Sequence, residues 1–275
     1  MASITTSRPA RRHHLFEFED LGWFPSLFRD TITSWLADAF VGAYDPVIPL
    51  ILRLLDSEGS NQIVDLCAGG SGPWEYLKEQ LDNARAEQGH GRTALTLTDL
   101  FPNVPAFTQA ATRLGPNVDF RSDRVDARHV PADLKGVRTL FTSFHHLDTH
   151  DAQAVLADAA RAGQAIGVFD FTQRDWQVIR GVLWQVPLSM FRSIHKWKPR
   201  RRSQMFFTYV VPLTVLTSLW DAVVSQLRAY LPSDLAAMTA GLGGEGYHWE
   251  TGQATAPGSD YRITYVIGHP VGLGA

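Results

Sequence analysis

Three acids, a run of small residues and a pair of histidines are the parts of this chain whose types and spacing could do chemistry. Asp65-Leu66-Cys67-Ala68-Gly69-Gly70-Ser71-Gly72 places a carboxylate directly before a glycine-rich turn. Glycines there permit positive φ and let a ligand approach the backbone with no Cβ in the way. Asp99 ends a later strand-like stretch, Asp126 lies beside the small Ala127, and His145-His146 follows another apolar stretch. An imidazole that titrates near neutrality can take a proton from a hydroxyl, a phenol or a protonated amine. Asp148 and His150 lie close by, but the group falls in one short turn and matches no standard metal-ligand spacing, so no metal site is expected.

The elements that must position these residues are legible. Gln62 to Leu66 is apolar except at its ends, as a parallel strand buried on both faces should be, and Pro73-Trp74-Glu75-Tyr76-Leu77 opens a helical pattern. Further strands are expected over 95–99, from Val118 towards Val125-Pro131, over 139–144 and over 165–171, with a helix over 152–162 capped by Asp148 or Thr149. Cys67-x-Gly69-x-x-Gly72 is also the dinucleotide fingerprint with its first glycine replaced. A carboxylate at Asp65 would repel a pyrophosphate, whereas it suits a cationic ligand such as S-adenosylmethionine, with its sulfonium and ammonium groups. Asp99 lies 27 residues after Gly72, where an acid can accept both ribose hydroxyls.

In this order of motifs the chain resembles the class I S-adenosylmethionine-dependent methyltransferase family over residues 60–171, and again in the terminal segments 247–252 and 261–268. The resemblance implies an α/β fold with a doubly wound, Rossmann-like seven-stranded sheet and S-adenosyl-L-methionine as cofactor. It implies that Asp65, Gly69 and Gly70 line the methionine end, Asp99 the ribose, and Asp126 with Ala127 the adenine. Cys67, Ala68 and Gly72 of the same turn, Leu100 and Ser143 complete the expected cofactor site, and His145 and His146 are the candidate catalytic residues. Cys67 stands where many members have glycine, and the glycines are shifted into Gly-Gly-Ser-Gly.

One domain is expected over 13–275 after a flexible tail over 1–12. Its parts are N-terminal cap helices (13–58), a cofactor-binding core (60–171), a helical insertion after strand five (172–230), and a last helix with antiparallel strands (231–275). Trp23, Phe24 and Tyr44 are candidates for an acceptor pocket. The insertion carries Lys196-Trp197-Lys198-Pro199-Arg200-Arg201-Arg202 and an uncharged stretch from Ser203 to Trp220 that Pro212 interrupts. It reads as a pair of helices covering the active site, as a surface-bound membrane hairpin with the basic residues at anionic headgroups, or as an RNA contact.

A net charge of −3 gives no general attraction to nucleic acid, so that partner is not favoured. The lone cysteine suggests a reducing cytosol, and no apolar signal core follows Arg11-Arg12. Neither Asn-Pro-Pro-Tyr nor Pro-Cys is present, which sets aside two classes of base methylation. The expected activity is O- or N-methylation of an apolar small molecule or lipid in the cytoplasm, with possible peripheral contact to anionic membrane through 196–202. The alternatives are an RNA methyltransferase, and a module that binds S-adenosylmethionine without chemistry.

Overall fold

The computed structural model describes residues 10–39, 41–193, 202–255 and 261–271. In chain order the helices and strands are α1 Ser26–Ala39, α2 Ile48–Glu58, β1 Gln62–Asp65, α3 Trp74–Glu87, β2 Ala94–Leu97, α4 Val104–Leu114, β3 Val118–Phe120, β4 Val137–Phe141, α5 Thr149–Ala162 and β5 Ile166–Asp170. There follow α6 Trp176–Ser193, the short α7 Arg202–Met205, a π-helical segment Phe206–Val210, α8 Leu213–Arg228, α9 Pro232–Thr239, β6 Tyr247–Thr255 and β7 Arg262–Pro270. They form two compact units, one of residues 40–171 with 231–275 and one of 1–39 with 172–230.

The first unit is a seven-stranded sheet of order β3-β2-β1-β4-β5-β7-β6. β1 to β5 are parallel, and β7 runs antiparallel between β5 and β6. β4 and β5 are buried at every position, which fits strands covered on both faces by crossover helices. The helices stop and start where the sequence says. Asp148 caps α5 by accepting from the Asp151 N–H, and Gly163 closes it in the left-handed conformation. Asn103 caps α4 in the same way. The order reverses between β1 and β4, so the loops after these two strands part and leave a crevice at their carboxyl ends. Beneath it Phe141 packs edge-on against Tyr44 and Trp74 and stacks with Phe169.

The second unit is helical. Val182, Val186 and Met190 of α6 and Val215 of α8 form its core, with Trp35 of α1 packed against them and its indole N–H donating to Ser189 at 3.0 Å. Residues 10–20 are tied along α8. Of the tail expected over 1–12, Ala10 is buried, and the Arg12 guanidinium donates to the Arg228 carbonyl and lies over the Tyr230 ring. The buried Arg228 donates to the Leu15 carbonyl and to Asp20, and pairs with Glu17 at 3.3 Å. Asp221 accepts the N–H groups of Phe18 (2.7 Å) and Glu19 (3.3 Å).

Burial, with Asp221 and Glu17 close by, pushes the Glu19 carboxyl up from 4.5 to about 8. The folded chain therefore holds a proton that the unfolded chain releases, and this contribution to stability is lost as pH rises from about 4.5 to about 8. Glu19→Gln should raise the melting temperature by roughly 2–6 °C at pH 9 and leave it almost unchanged at pH 5, as read by scanning calorimetry.

The boundaries of most predicted elements shift by one or two residues at the ends, and β3 stops at Phe120, short of Val125. The basic segment 196–201 lies outside the described residues. Arg202 opens α7 and is exposed.

Candidate active site

β1 delivers Asp65 into the crevice. Its register pairs it with Leu97 of β2 on one side and Thr139 of β4 on the other. The carboxylate is buried and accepts the Thr139 hydroxyl at 2.7 Å. Burial raises its acid constant to about 7; Thr139 and the Trp74 indole pull the other way, and the charge of Asp99 adds to the rise. Such a group carries its full negative charge most cheaply when a cation sits beside it.

The turn after β1 is strained in an informative way. Gly69 and Gly72 take positive φ, as expected, but Gly70 does not; Cys67 (φ 59°) and Ser71 (φ 91°) do so instead. Non-glycine residues hold that conformation only where their surroundings impose it, and such positions gather at ligand clamps. No atom lies within 4 Å of where a Cβ would stand on Gly69 or Gly72, so both glycines border open space. The turn is pinned from β2: the Ala68 N–H donates to the Thr98 carbonyl, and the Gly69 N–H donates to Asp99 at 2.9 Å.

Asp99 also accepts the Phe101 N–H at 2.8 Å, and its backbone carbonyl accepts the Val125 N–H. Those bonds bring the glycine turn, the Asp99-Leu100 corner and the 125–127 loop together. Asp126 is held below the usual carboxylate range by Arg128, whose guanidinium contacts both of its oxygens, while Ala127 is buried beside it. Burial pushes the Cys67 thiol up, and Asp99, Asp65 and Asp126 all add to the effect. Three carboxylates thus bear on one turn, and a thiol in that field is no nucleophile. The buried Ser143 hydroxyl faces the same thiol.

After β4 the chain makes a second strained turn at Thr142, a β-branched residue at φ 43°. The Thr142 hydroxyl is hydrogen-bonded to the fully buried Tyr44 and accepts the Phe171 N–H at 3.1 Å. The turn presents Phe144–His146 as a 3₁₀ helix. His145 is buried, and its Nδ1 lies 2.9 Å from Asp170 at the end of β5. A carboxylate only accepts, so Nδ1 carries the proton and the neutral ring keeps its lone pair on Nε2. That Nε2 is buried with no hydrogen-bond partner among the described residues. The His146 ring lies 4.4 Å from that of His145.

The structure therefore gathers Asp65, Cys67–Gly72, Asp99, Leu100, Asp126, Ala127, Ser143, His145 and His146 in one unit, with His145 buried against Asp170. Asp170, Thr139 and Trp74 escaped the sequence reading. Asp170 had a signal, since it ends an apolar strand as Asp65 and Asp99 do. Of the three residues considered for an acceptor pocket, Trp23 is mostly exposed, Phe24 is buried, and Tyr44 is enclosed beneath the Thr142 turn.

No protein-family model matches the chain, and a search of curated proteins finds no similar sequence. Among solved structures, the S-adenosylmethionine-dependent methyltransferase SibL in its apo form aligns with a TM-score of 0.50 at 11% identity over 96% of this chain and 63% of its own. Magnesium protoporphyrin IX methyltransferase from Synechocystis PCC 6803, solved with bound SAH, aligns with a TM-score of 0.39 at 14% identity over 82% of this chain and 83% of its own. The CMeT domain of a citrinin polyketide synthase aligns with a TM-score of 0.44 at 10% identity over 75% of this chain and 45% of its own. This chain thus spans less than two thirds of the length of SibL and of the CMeT structure. With the sheet order, the single antiparallel strand and the alignment to SibL along almost its whole length, this chain has the fold of the class I S-adenosylmethionine-dependent methyltransferases.

Proposed function

We propose that this chain transfers a methyl group from S-adenosylmethionine to an oxygen or nitrogen of an apolar small molecule or lipid in the cytoplasm, with His145 as the proton acceptor. The observation that carries the reading is the convergence of Asp65, Asp99 and a glycine turn open at Gly69 and Gly72 with a buried imidazole whose Nε2 is unpartnered. SibL, which shares the fold, is described as an S-adenosylmethionine-dependent methyltransferase.

The residues fit that cofactor. Asp65 would face its cationic end, Asp99 its ribose, and Ala127 with Asp126 its adenine. The bound cofactor supplies an electrophilic methyl group on sulfur; the chain supplies the rest. Asp170 holds the His145 Nδ1–H, so Nε2 is fixed as the acceptor of a proton from the attacking O–H or N–H. In-line displacement needs little more than alignment, for which a rigid turn locked by Tyr44 and Thr142 is suited.

Calorimetric titration with S-adenosylmethionine, S-adenosylhomocysteine and NAD tests the donor assignment. Micromolar binding of the first two is expected, weakened at least tenfold by Asp99→Ala, because that change removes both the ribose acceptor and the anchor of the Gly69 N–H. Preference for NAD, or no binding of any of the three, would overturn the reading.

A further inference from the structure

Helix α8 carries apolar residues on both faces: Val215 and Val224 are buried among polar side chains, and large apolar side chains also stand outside. Its buried face carries Thr214, Ser218 and Asp221, each almost fully enclosed, whereas Leu213, Leu216 (57% exposed) and Trp220 face outward. Helix α6 continues the pattern: opposite its core stripe lie Trp184, 80% exposed, Leu188 and Phe191, at intervals of four and three residues. Exposed Phe191 of α6 stacks at 5.5 Å on exposed Tyr209 of the π-helical segment that precedes α8, and the tyrosine hydroxyl donates to the Phe191 carbonyl. Contiguous apolar surface of this kind is unusual on a monomeric protein and marks a docking face.

Charge identifies what docks. From Trp176 to Trp220 the sequence has no acid, and it has Arg180, Arg192, Lys196, Lys198, Arg200, Arg201 and Arg202. Those seven cations stand against a chain total of −3, which leaves −10 for the rest of the protein. Arg180, Arg192 and Arg202, the described members, are exposed. A second copy of the same basic surface would repel itself. RNA would answer the charge but not the leucines.

No single helix among the described residues is long and apolar enough to cross a membrane, and the pair Arg202–Val210 and Leu213–Arg228 bends by 73°. Outward leucine and tryptophan beside basic residues, on helices too short or too bent to span, is the composition of a surface that lies in the headgroup layer. We infer that the outer face of α6 and α8 docks on the surface of an anionic lipid bilayer.

Sedimentation of the full chain with vesicles tests this. Phosphatidylcholine vesicles containing about one third phosphatidylglycerol, whose negative surface potential attracts basic segments, should pull the protein down, and pure phosphatidylcholine should not. Raising the salt should weaken binding. Trp184→Ser with Leu188→Ser, both exposed, should reduce partitioning at least tenfold while leaving the melting temperature unchanged, and so should replacement of Arg200, Arg201 and Arg202 by glutamine. The inference is overturned if the protein stays in solution with anionic vesicles, or if either variant binds them as well as the parent. It is equally overturned if the protein ignores vesicles but binds a single-stranded RNA oligomer, or forms a dimer that the Trp184 and Leu188 changes dissociate.

Discussion

His145→Ala should lower turnover of the acceptor by about 10²–10⁴-fold, the usual worth of a positioned general base, while S-adenosylmethionine affinity changes by no more than about twofold. The expectation rests on the tautomer. Asp170 holds Nδ1, and the remaining lone pair points into a buried place where no described residue accepts or donates. Added imidazole should restore the variant's turnover part of the way to the parent's, a signature that a merely structural histidine would not leave. Asp170→Asn should fall between the two, because the amide can accept from Nδ1 but cannot balance the imidazolium that forms. His146→Ala should cost much less, its ring being tilted against that of His145 and not buried. Unchanged turnover in His145→Ala, measured at saturating donor and acceptor, would remove the base from the mechanism and leave alignment alone.

The second large effect is expected at Asp65. With its carboxyl pushed up to about 7, half of the ligand-free protein is protonated there at neutrality. A cationic ligand favours the ionised form, so binding should release a proton, and affinity should climb by up to about tenfold per pH unit below 7 and level off above it. Above about pH 8 the ligand's own ammonium group begins to lose its proton, which places the useful range at pH 5.5–7.5. Asp65→Asn should flatten this profile and reduce S-adenosylmethionine affinity at pH 7.5 by roughly 10–100-fold, the loss of a buried charge pair. The same change should make the empty protein more stable at pH 8. A folded-state acid constant raised above 3.8 means that stability is lost as pH climbs from about 4 to about 7, and asparagine escapes that loss. Calorimetry in two buffers of different ionisation enthalpy reads the released proton directly. Equal heats in both buffers, or an Asp65→Asn variant that binds as tightly as the parent, would mean that the carboxylate does not face the ligand.

Local chemistry made much of this legible before any coordinates. The apolar run ending in Asp65, the glycine turn, the second acid at Asp99 and the capped start of α5 are all written in neighbouring residues. What escaped depends on distant strands becoming neighbours. Thr139 reaches Asp65 across 74 positions, and Asp170 reaches His145 across 25 because β4 and β5 pair. Positive φ at Cys67, Ser71 and Thr142 was equally hidden, since local preference argues against it and only tertiary packing enforces it. Helix α8 shows a further limit. Its sequence pattern does not say that Asp221 is buried beside Val215 and Val224, because Asp221 is satisfied by the Phe18 and Glu19 backbone some two hundred residues away.

The insertion of β7 between β5 and β6 bears on how the protein is made. β5 is buried along its whole length, yet its second neighbour begins about 90 residues later, at Arg262. At a synthesis rate of about 5–20 residues per second, the nascent chain carries a finished parallel sheet with one naked hydrophobic edge for roughly 5–20 s. Residues 172–230, which complete the helical unit begun by 1–39, emerge during that interval. The ribosome thus delivers the helical part first and the sealing strand last. Chains released before β7 would expose a sticky strand edge to one another, so termination ahead of Arg262 should yield aggregates rather than a shortened soluble protein.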